Sequence, residues 1–220
     1  MASLERNGDV FVLSLGEDEN RFNADSLDAL ERCLSEVEDA APCALVTTAS
    51  GKFWSNGLDL EWISTQGDQA VPFIERVHEL LARVLEMGVP SIAALQGHTF
   101  AAGAMLALAH DGRVMRADRG FFCLPEVDIR IPFTPGMSAL ISARLPAQSA
   151  HEAMTGGRRY GGAEAARAGI VEDAVAEAEV LPRALERAAA LTSKDPATLK
   201  TIKQRLYHSA LSALRGPQGL

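Results

Sequence analysis

PSIAALQGHTFAAGAMLALAHDGRVMRADRGFFCLPE, residues 90–126, is the stretch whose reading decides the fold. PSIAALQG is an apolar run with no polar alternation, which marks a strand covered on both faces, as in a parallel sheet. A turn at Gly97 leads into HTFAAGAMLALAHD, whose small and apolar residues suit a helix buried on every side. GRVMRAD and GFFCLPE then read as short strands. Strand, turn, buried helix and strand in succession predict an α/β protein whose most buried part is the middle of its chain.

Upstream the alternation continues. VFVLSL (10–15) is β-branched and aromatic and is broken by GEDEN, so it predicts a strand and a turn. Asp25 or Ser26 then precedes LDALERCLSEVEDA (27–40), where Leu27, Leu30, Cys33, Leu34 and Val37 recur at helical spacing opposite an acidic face. ALVTT (44–48) predicts a further strand, and SGKFWSNG (50–57) the loop that follows it. Pro72 can start a long helix through VHELLARVLEMG, closed by Gly88. Downstream, Pro135–Leu145 and Ser149–Thr155 are short helical patterns, Gly156 and Gly157 a turn, and AEAARAG leads into a strand-like IVEDAV. From Leu181 to Leu214 the pattern is helical apart from a break at Pro196, and GPQGL reads as a frayed tail.

Composition narrows the function. The 220 residues are 47% hydrophobic and 23% charged, enough to bury a full core. Twenty-one Lys and Arg against 29 Asp and Glu leave a formal charge of −8, which opposes nucleic acid and acidic membrane surfaces as partners. No apolar run approaches the ~20 residues that cross a bilayer, and MASLERNGDV lacks an export signal, so a cytoplasmic location is expected. The end GPQGL is not a peroxisomal S-K-L address. Cys33, Cys43 and Cys123 are odd in number, lack CxxC spacing and read as reduced core thiols.

Several chemistries lack their residues. HELLA at His78 has Ala82 where a zincin needs its second His, which leaves His78 as a polar-face residue. His98, His110, His151 and His208 fit no ligand spacing, so no metal is expected. No phosphate loop or dinucleotide fingerprint occurs, and GGRRYGG reads as a turn. GMSAL around Ser138 lacks the second Gly of a nucleophile elbow. What remains is a pair of small-residue segments, SNGLDL and HTFAAGAML, each able to present free backbone N–H groups, and Glu126, a carboxylate emerging from the core just past Pro125. Burial there raises its pKa toward general-base values, unless Arg119 or Arg130 pairs with it.

WSNGLDL, then PSIAALQGHTFAAGAMLALAHDGRVMRADRGFFCLPEVDI, then TGGRRYGGAEAARAGIVEDAV resemble, in order and spacing, the crotonase superfamily of enoyl-CoA hydratases and isomerases. The resemblance implies a spiral of repeated ββα units over residues 1–180 and a C-terminal helical region over 181–220, forming one functional unit. It implies an acyl-CoA thioester as partner, no cofactor beyond the coenzyme A of the substrate, and assembly as a homotrimer or dimer of trimers. Matched residue by residue, the backbone N–H groups of Leu58 and Ala102 become the oxyanion hole, and Asn56, Gly57, Gly103 and Met105 substrate contacts. Two preorganised donors are most valuable where an enolate oxygen develops, each worth roughly a hundred- to a thousand-fold in rate.

Hydratases of the family carry two glutamates. Here the second is Glu126 and the first position holds Met105, which cannot position water as a carboxylate does. One carboxylate suffices to move a proton, and KFWSNGLDL and LPEVDI resemble in particular the 3-enoyl-CoA to 2-enoyl-CoA isomerases of plant peroxisomes. Isomerase is the leading reading. Hydratase, thioester hydrolase and a silent acyl-CoA-binding subunit are the alternatives. Asp128, Asp59 and Asp111 read as structural. Arg130 stands where many relatives have Gly and is expected to alter the acyl pocket, Trp54, Trp62, Phe73 and Phe133 read as core residues before pocket lining, and Lys52, Arg21 and Arg158 are candidate phosphate cations.

Overall fold

Two sheets share the strands of the chain and, from residue 44 onward, take them in alternation. The computed structural model describes residues 2–217, so Gln218, Gly219 and Leu220 of the expected tail lie outside the described residues. The strands are β1 (Ser3–Asn7), β2 (Val10–Ser14), β3 (Ala44–Thr48), β4 (Phe53–Ser55), β5 (Ser91–Leu95), β6 (His98–Phe100), β7 (Gly112–Arg116), β8 (Phe122–Cys123) and β9 (Asp173–Val175). The larger sheet runs β1-β2-β3-β5-β7-β9 and the smaller β4-β6-β8. Strands β1 and β2 pair antiparallel, and the other strand pairs are parallel. Each of β3, β5 and β7 in the larger sheet is thus followed at once by a short strand in the smaller one. This is the ββα spiral.

The helices are α1 (Ala24–Asp39), α2 (Leu60–Ser64), α3 (Ala70–Glu86), α4 (Ala102–Ala109), α5 (Glu126–Ile129), α6 (Pro135–Arg144), α7 (Ala147–Gly156), α8 (Gly162–Arg167), α9 (Glu177–Ala189), α10 (Pro196–Leu206) and α11 (His208–Arg215). On one face of the larger sheet the main core gathers Leu45, Leu95, Leu81 and Leu108. On the other, Val46, Ile92, Ala94 and Val114 pack against Val180, Ala184 and Ala188 of α9. The unbroken apolar reading of residues 91–95 follows from this double cover, since every residue of β5 is buried. Helix α9 begins at Glu177, so it spans the expected division at 180/181.

Other expectations shift by a few residues. The N-cap of α1 is Asn23, not Asp25 or Ser26; its side chain accepts from the Ser26 amide at 3.1 Å, and the Ser26 hydroxyl accepts from the Asn23 amide at 2.9 Å. Within the expected loop at 50–57 lies β4, only three residues long. Asp59 caps α2 by accepting from the Trp62 amide at 3.1 Å, consistent with a structural role. Cys43 and Cys123 are buried, whereas Cys33 is only partly so.

The C-terminal helices close the core through buried charge. The Lys203 ammonium on α10 donates to the Met87 carbonyl at 2.9 Å and to Asp111 at 2.7 Å. Asp111 in turn accepts from the Ser91 amide at 2.9 Å, which holds the start of β5. Desolvation holds the Lys203 pKa below its ordinary value, opposed by Asp111. Removing one partner of such a pair strands the other, which costs about 3–5 kcal/mol. Asp111→Ala is therefore expected to destabilise the protein by about 3 kcal/mol, read as a lowered denaturation midpoint at unchanged slope. A loss below about 1 kcal/mol would show that the ammonium is solvated in the native state.

Candidate active site

Two backbone segments touch where the smaller sheet meets α4. Gly57, just after β4, has φ +79°, and a Cβ there would stand 2.9 Å from the Ala102 nitrogen and 3.0 Å from the Phe100 carbonyl oxygen. A Cβ on Gly103 would lie 2.6 Å from the Ser55 hydroxyl and 2.8 Å from the Ser55 carbonyl oxygen. Neither position accepts a side chain without moving the other segment. Between them Ala101 adopts φ 51° and ψ −128°, a conformation strained for any residue with a Cβ. Strain of this kind persists only where surrounding contacts impose it.

This close approach brings Leu58, the residue after Gly57, and Ala102, the first residue of α4, to one cavity wall. Leu58 is tied in place by its neighbours: Phe22 donates to the Gly57 carbonyl at 2.8 Å and Asp59 to the Phe22 carbonyl at 3.0 Å. Among the described residues the Leu58 amide itself donates to no acceptor. As a first-turn amide of α4, the Ala102 N–H has no intrahelical acceptor, and the Ala101 cap supplies no side-chain bond. Free amides at a helix start are suited to a developing negative charge.

The cavity measures about 430 Å³. Leu58, Ala102, Asn56, Met105 and Glu126 all line it. Gly57 and Gly103 shape it from behind rather than lining it. Glu126 opens α5 directly after Pro125, and only 6% of it is exposed. Its Oε2 has no hydrogen-bond partner among the described residues, and neither Arg119 nor Arg130 forms an ion pair with it. Burial pushes its pKa up to about 7, slightly opposed by a backbone hydrogen bond. Met105, one turn into α4, presents an apolar side chain to the same space. The arrangement combines a carboxylate poised to exchange a proton near neutrality with two amides able to hold an anion.

The remaining candidates sort themselves around this cavity. Trp54, Trp62, Phe73 and Phe133 do not line the cavity, whereas Phe100 does. Trp54 is buried with its indole N–H on the Thr47 carbonyl at 3.3 Å, and Trp62 and Phe73 stack edge to face with centroids 4.8 Å apart. Arg130 caps α5 at φ 59°, the left-handed region that glycine enters most easily, and it does not line the cavity. Ile129 and Ile131 on either side of it do. Asp128 lies against Gly157, where a Cβ would be 2.5 Å from its carboxylate. Of the three candidate cations, Arg158 is engaged by Glu152 at 3.1 Å and Glu164 at 3.3 Å, and Lys52 lies over the Phe53 ring at 5.2 Å. Arg21 lines the cavity, held by Glu19, which also accepts from Asn56 at 3.3 Å.

Sequence reasoning misplaced His78 and overlooked Thr134. His78 is 1% exposed, not on a polar face, and its Nε2 lies 3.0 Å from the Thr134 hydroxyl. Thr134 lines the cavity and caps α6 by accepting from the Met137 amide at 3.2 Å. The one signal for Thr134 was its place before Pro135, an N-cap followed by a proline at the first helical position.

Comparison with known proteins bears on this geometry. The profile of the family described as Enoyl-CoA hydratase/isomerase matches residues 5–218. The chain is 40% identical over 185 residues to enoyl-CoA delta isomerase 3 of Arabidopsis thaliana, covering 79% of this chain and 76% of that protein. It is 38% identical over 189 residues to the peroxisomal enoyl-CoA delta isomerase 2 of the same plant, covering 81% and 79%. Among solved structures, an apo enoyl-CoA isomerase of Mtb superposes with a TM-score of 0.89 at 25% identity, over 97% of this chain and 94% of that one. With the alternating two-sheet spiral, the glycine-enforced meeting of two amide-bearing segments and this near full-length match, the chain belongs to the enoyl-CoA hydratase/isomerase family.

Proposed function

We propose that the protein is an enoyl-CoA isomerase that moves the double bond of a 3-enoyl-CoA to the 2-trans position. The observation that carries this reading is the solitary carboxylate: Glu126 lines the cavity with its Oε2 unpartnered among the described residues, and Met105, not a second carboxylate, lines the cavity from α4. In the proposed cycle Glu126 removes the alpha proton, the electron pair moves through the carbonyl into a dienolate, and the Leu58 and Ala102 amides hold its oxygen. The protonated Glu126 then delivers the proton to the gamma carbon, and the electrons return to form the conjugated double bond. Nothing is gained or lost between substrate and product, so the coenzyme A of the substrate is the only carrier the cycle uses. Asn56 and Met105 flank the thioester and acyl chain, and Gly57 and Gly103 keep the two amides in place. We further propose assembly as a homotrimer or dimer of trimers. Purified protein with 3-enoyl-CoAs of several chain lengths, monitored for conjugated product, tests the reading directly.

Glu126→Gln preserves shape but cannot accept a proton. It is expected to lower kcat/KM for isomerisation by about a hundredfold or more while acyl-CoA binding stays within a few-fold. Near-normal turnover would remove Glu126 from the base role.

The raised pKa of Glu126 fixes the sign of two pH effects. Because the base must be ionised, kcat/KM should climb with pH and level off above about pH 7. The carboxylate form is disfavoured by folding, so its stability contribution is complete below the unfolded value of 4.5 and is lost as pH rises through about 7. Glu126→Gln should accordingly be more stable than wild type at pH 8, by about 3 kcal/mol at most, with the gap closing toward pH 4. A constant gap across that range would disconnect the shift from Glu126.

Met105 distinguishes isomerisation from hydration. The wild type is expected to convert 3-enoyl-CoA faster than it hydrates 2-enoyl-CoA, measured side by side on one chain length. Faster hydration would replace the isomerase reading with the hydratase one.

A further inference from the structure

One residue of the cavity wall carries a hydroxyl that proton transfer at Glu126 does not use. Thr134 lines the cavity, and behind it the buried His78 of α3 hydrogen-bonds the Thr134 hydroxyl at 3.0 Å. Ile74, one turn before His78 on the same helix, also lines the cavity, as does Met137 one turn after Thr134. The His78 Nδ1 is buried and has no hydrogen-bond partner among the described residues. Thr134 and Glu126 make no hydrogen bond to each other, so they address different parts of whatever fills the space.

Counting donors and acceptors shows what is left over. Burial holds His78 below its ordinary pKa, so the ring is neutral and carries one proton. With that proton on Nε2, the Thr134 oxygen accepts from both the ring and the Met137 amide, and its own O–H finds no acceptor among the described residues. With the proton on Nδ1, the Thr134 O–H donates to Nε2, the Met137 amide takes one lone pair, and the second lone pair is unused. In one tautomer Thr134 has a donor to spare, in the other an acceptor. A hydroxyl, at once donor and acceptor, answers both. A wall lined only for a plain alkyl chain has no use for a hydroxyl backed by a histidine, since an apolar side chain fills the same place without the cost of burying polar groups.

We infer that Thr134, backed by His78, is a specificity-determining contact for an acyl chain that bears a hydroxyl beyond the reacting double bond. The substrate class is then a hydroxylated enoyl thioester, and the inference rests on the acyl-CoA reading given above. The hydroxyl exchanges a hydrogen bond with Thr134 while the chain around it packs on Ile74 and Met137. The Thr134 cap on α6 is a separate duty, since it uses only the Met137 bond.

The test is a binding series that needs no turnover. Octanoyl-CoA and its monohydroxylated analogues, with the hydroxyl at each carbon beyond the fourth, are titrated calorimetrically into wild type, Thr134→Ser and Thr134→Val. At least one analogue should bind wild type about fivefold tighter than octanoyl-CoA, Thr134→Ser should keep that ratio within about twofold, and Thr134→Val should lower it about tenfold. A purely structural role for Thr134 would weaken both ligands alike and leave the ratio unmoved. Binding of octanoyl-CoA with no analogue preferred by wild type, or a preference that survives Thr134→Val, would overturn the inference alone. Failure of octanoyl-CoA itself to bind would overturn the acyl-CoA reading along with it.

Discussion

The meeting of backbone with backbone at Gly57 and Ala102 is the constraint on which the rest depends. Two segments more than forty residues apart are pressed together until no Cβ fits between them, and Ala101 is held at a positive φ as a result. The two sheets exist in a form that permits this. Strand β4 pairs with β6 in the smaller sheet, which fixes the loop after one against the helix start after the other. Hydrogen bonds from Phe22 and Asp59 complete the clamp from the side. Preorganisation of this kind means that amides are in position before any ligand arrives, which is what electrostatic stabilisation of a transient anion requires.

Glu126 shows the opposite economy. A carboxylate in an apolar wall with one oxygen unsatisfied is unfavourable for the folded state, and no neighbouring cation relieves it. Elsewhere the same chain neutralises its buried charges thoroughly. Arg113, 3% exposed at its side chain, donates to Glu172 at 2.8 Å and to carbonyls at Ile170 and His110, and Lys203 finds Asp111. Unrelieved burial at Glu126 therefore stands out against a well-paired interior, as expected where chemistry and stability make different demands.

How much of this was legible in the sequence depended on the range of the interactions involved. Strands β2, β3, β5 and β7 and the long helices follow from local apolar patterns, because double burial of the larger sheet writes itself into runs such as SIAAL. Strand β1 was hidden by its exposed polar residues, and β4 by its brevity. The glycines and Glu126 were singled out from local context and from family resemblance. The burial of His78 was not legible, because its one hydrogen-bond partner among the described residues, Thr134, lies 56 residues away. No periodicity within α3 announces a polar residue that a distant helix cap will receive.

Lys203 also bears on the order in which the chain can become itself. The Met87 carbonyl and the Asp111 carboxylate that receive its ammonium lie 116 and 92 residues earlier, and α11, later still, packs against both α3 and α6. A chain made from its N-terminus on the ribosome exposes those acceptors long before their donor emerges. The contacts that α10 and α11 make with α3, and α11 with α6, are therefore absent from any nascent chain that has not yet reached residue 203, and the surfaces they cover in the native state must wait for them.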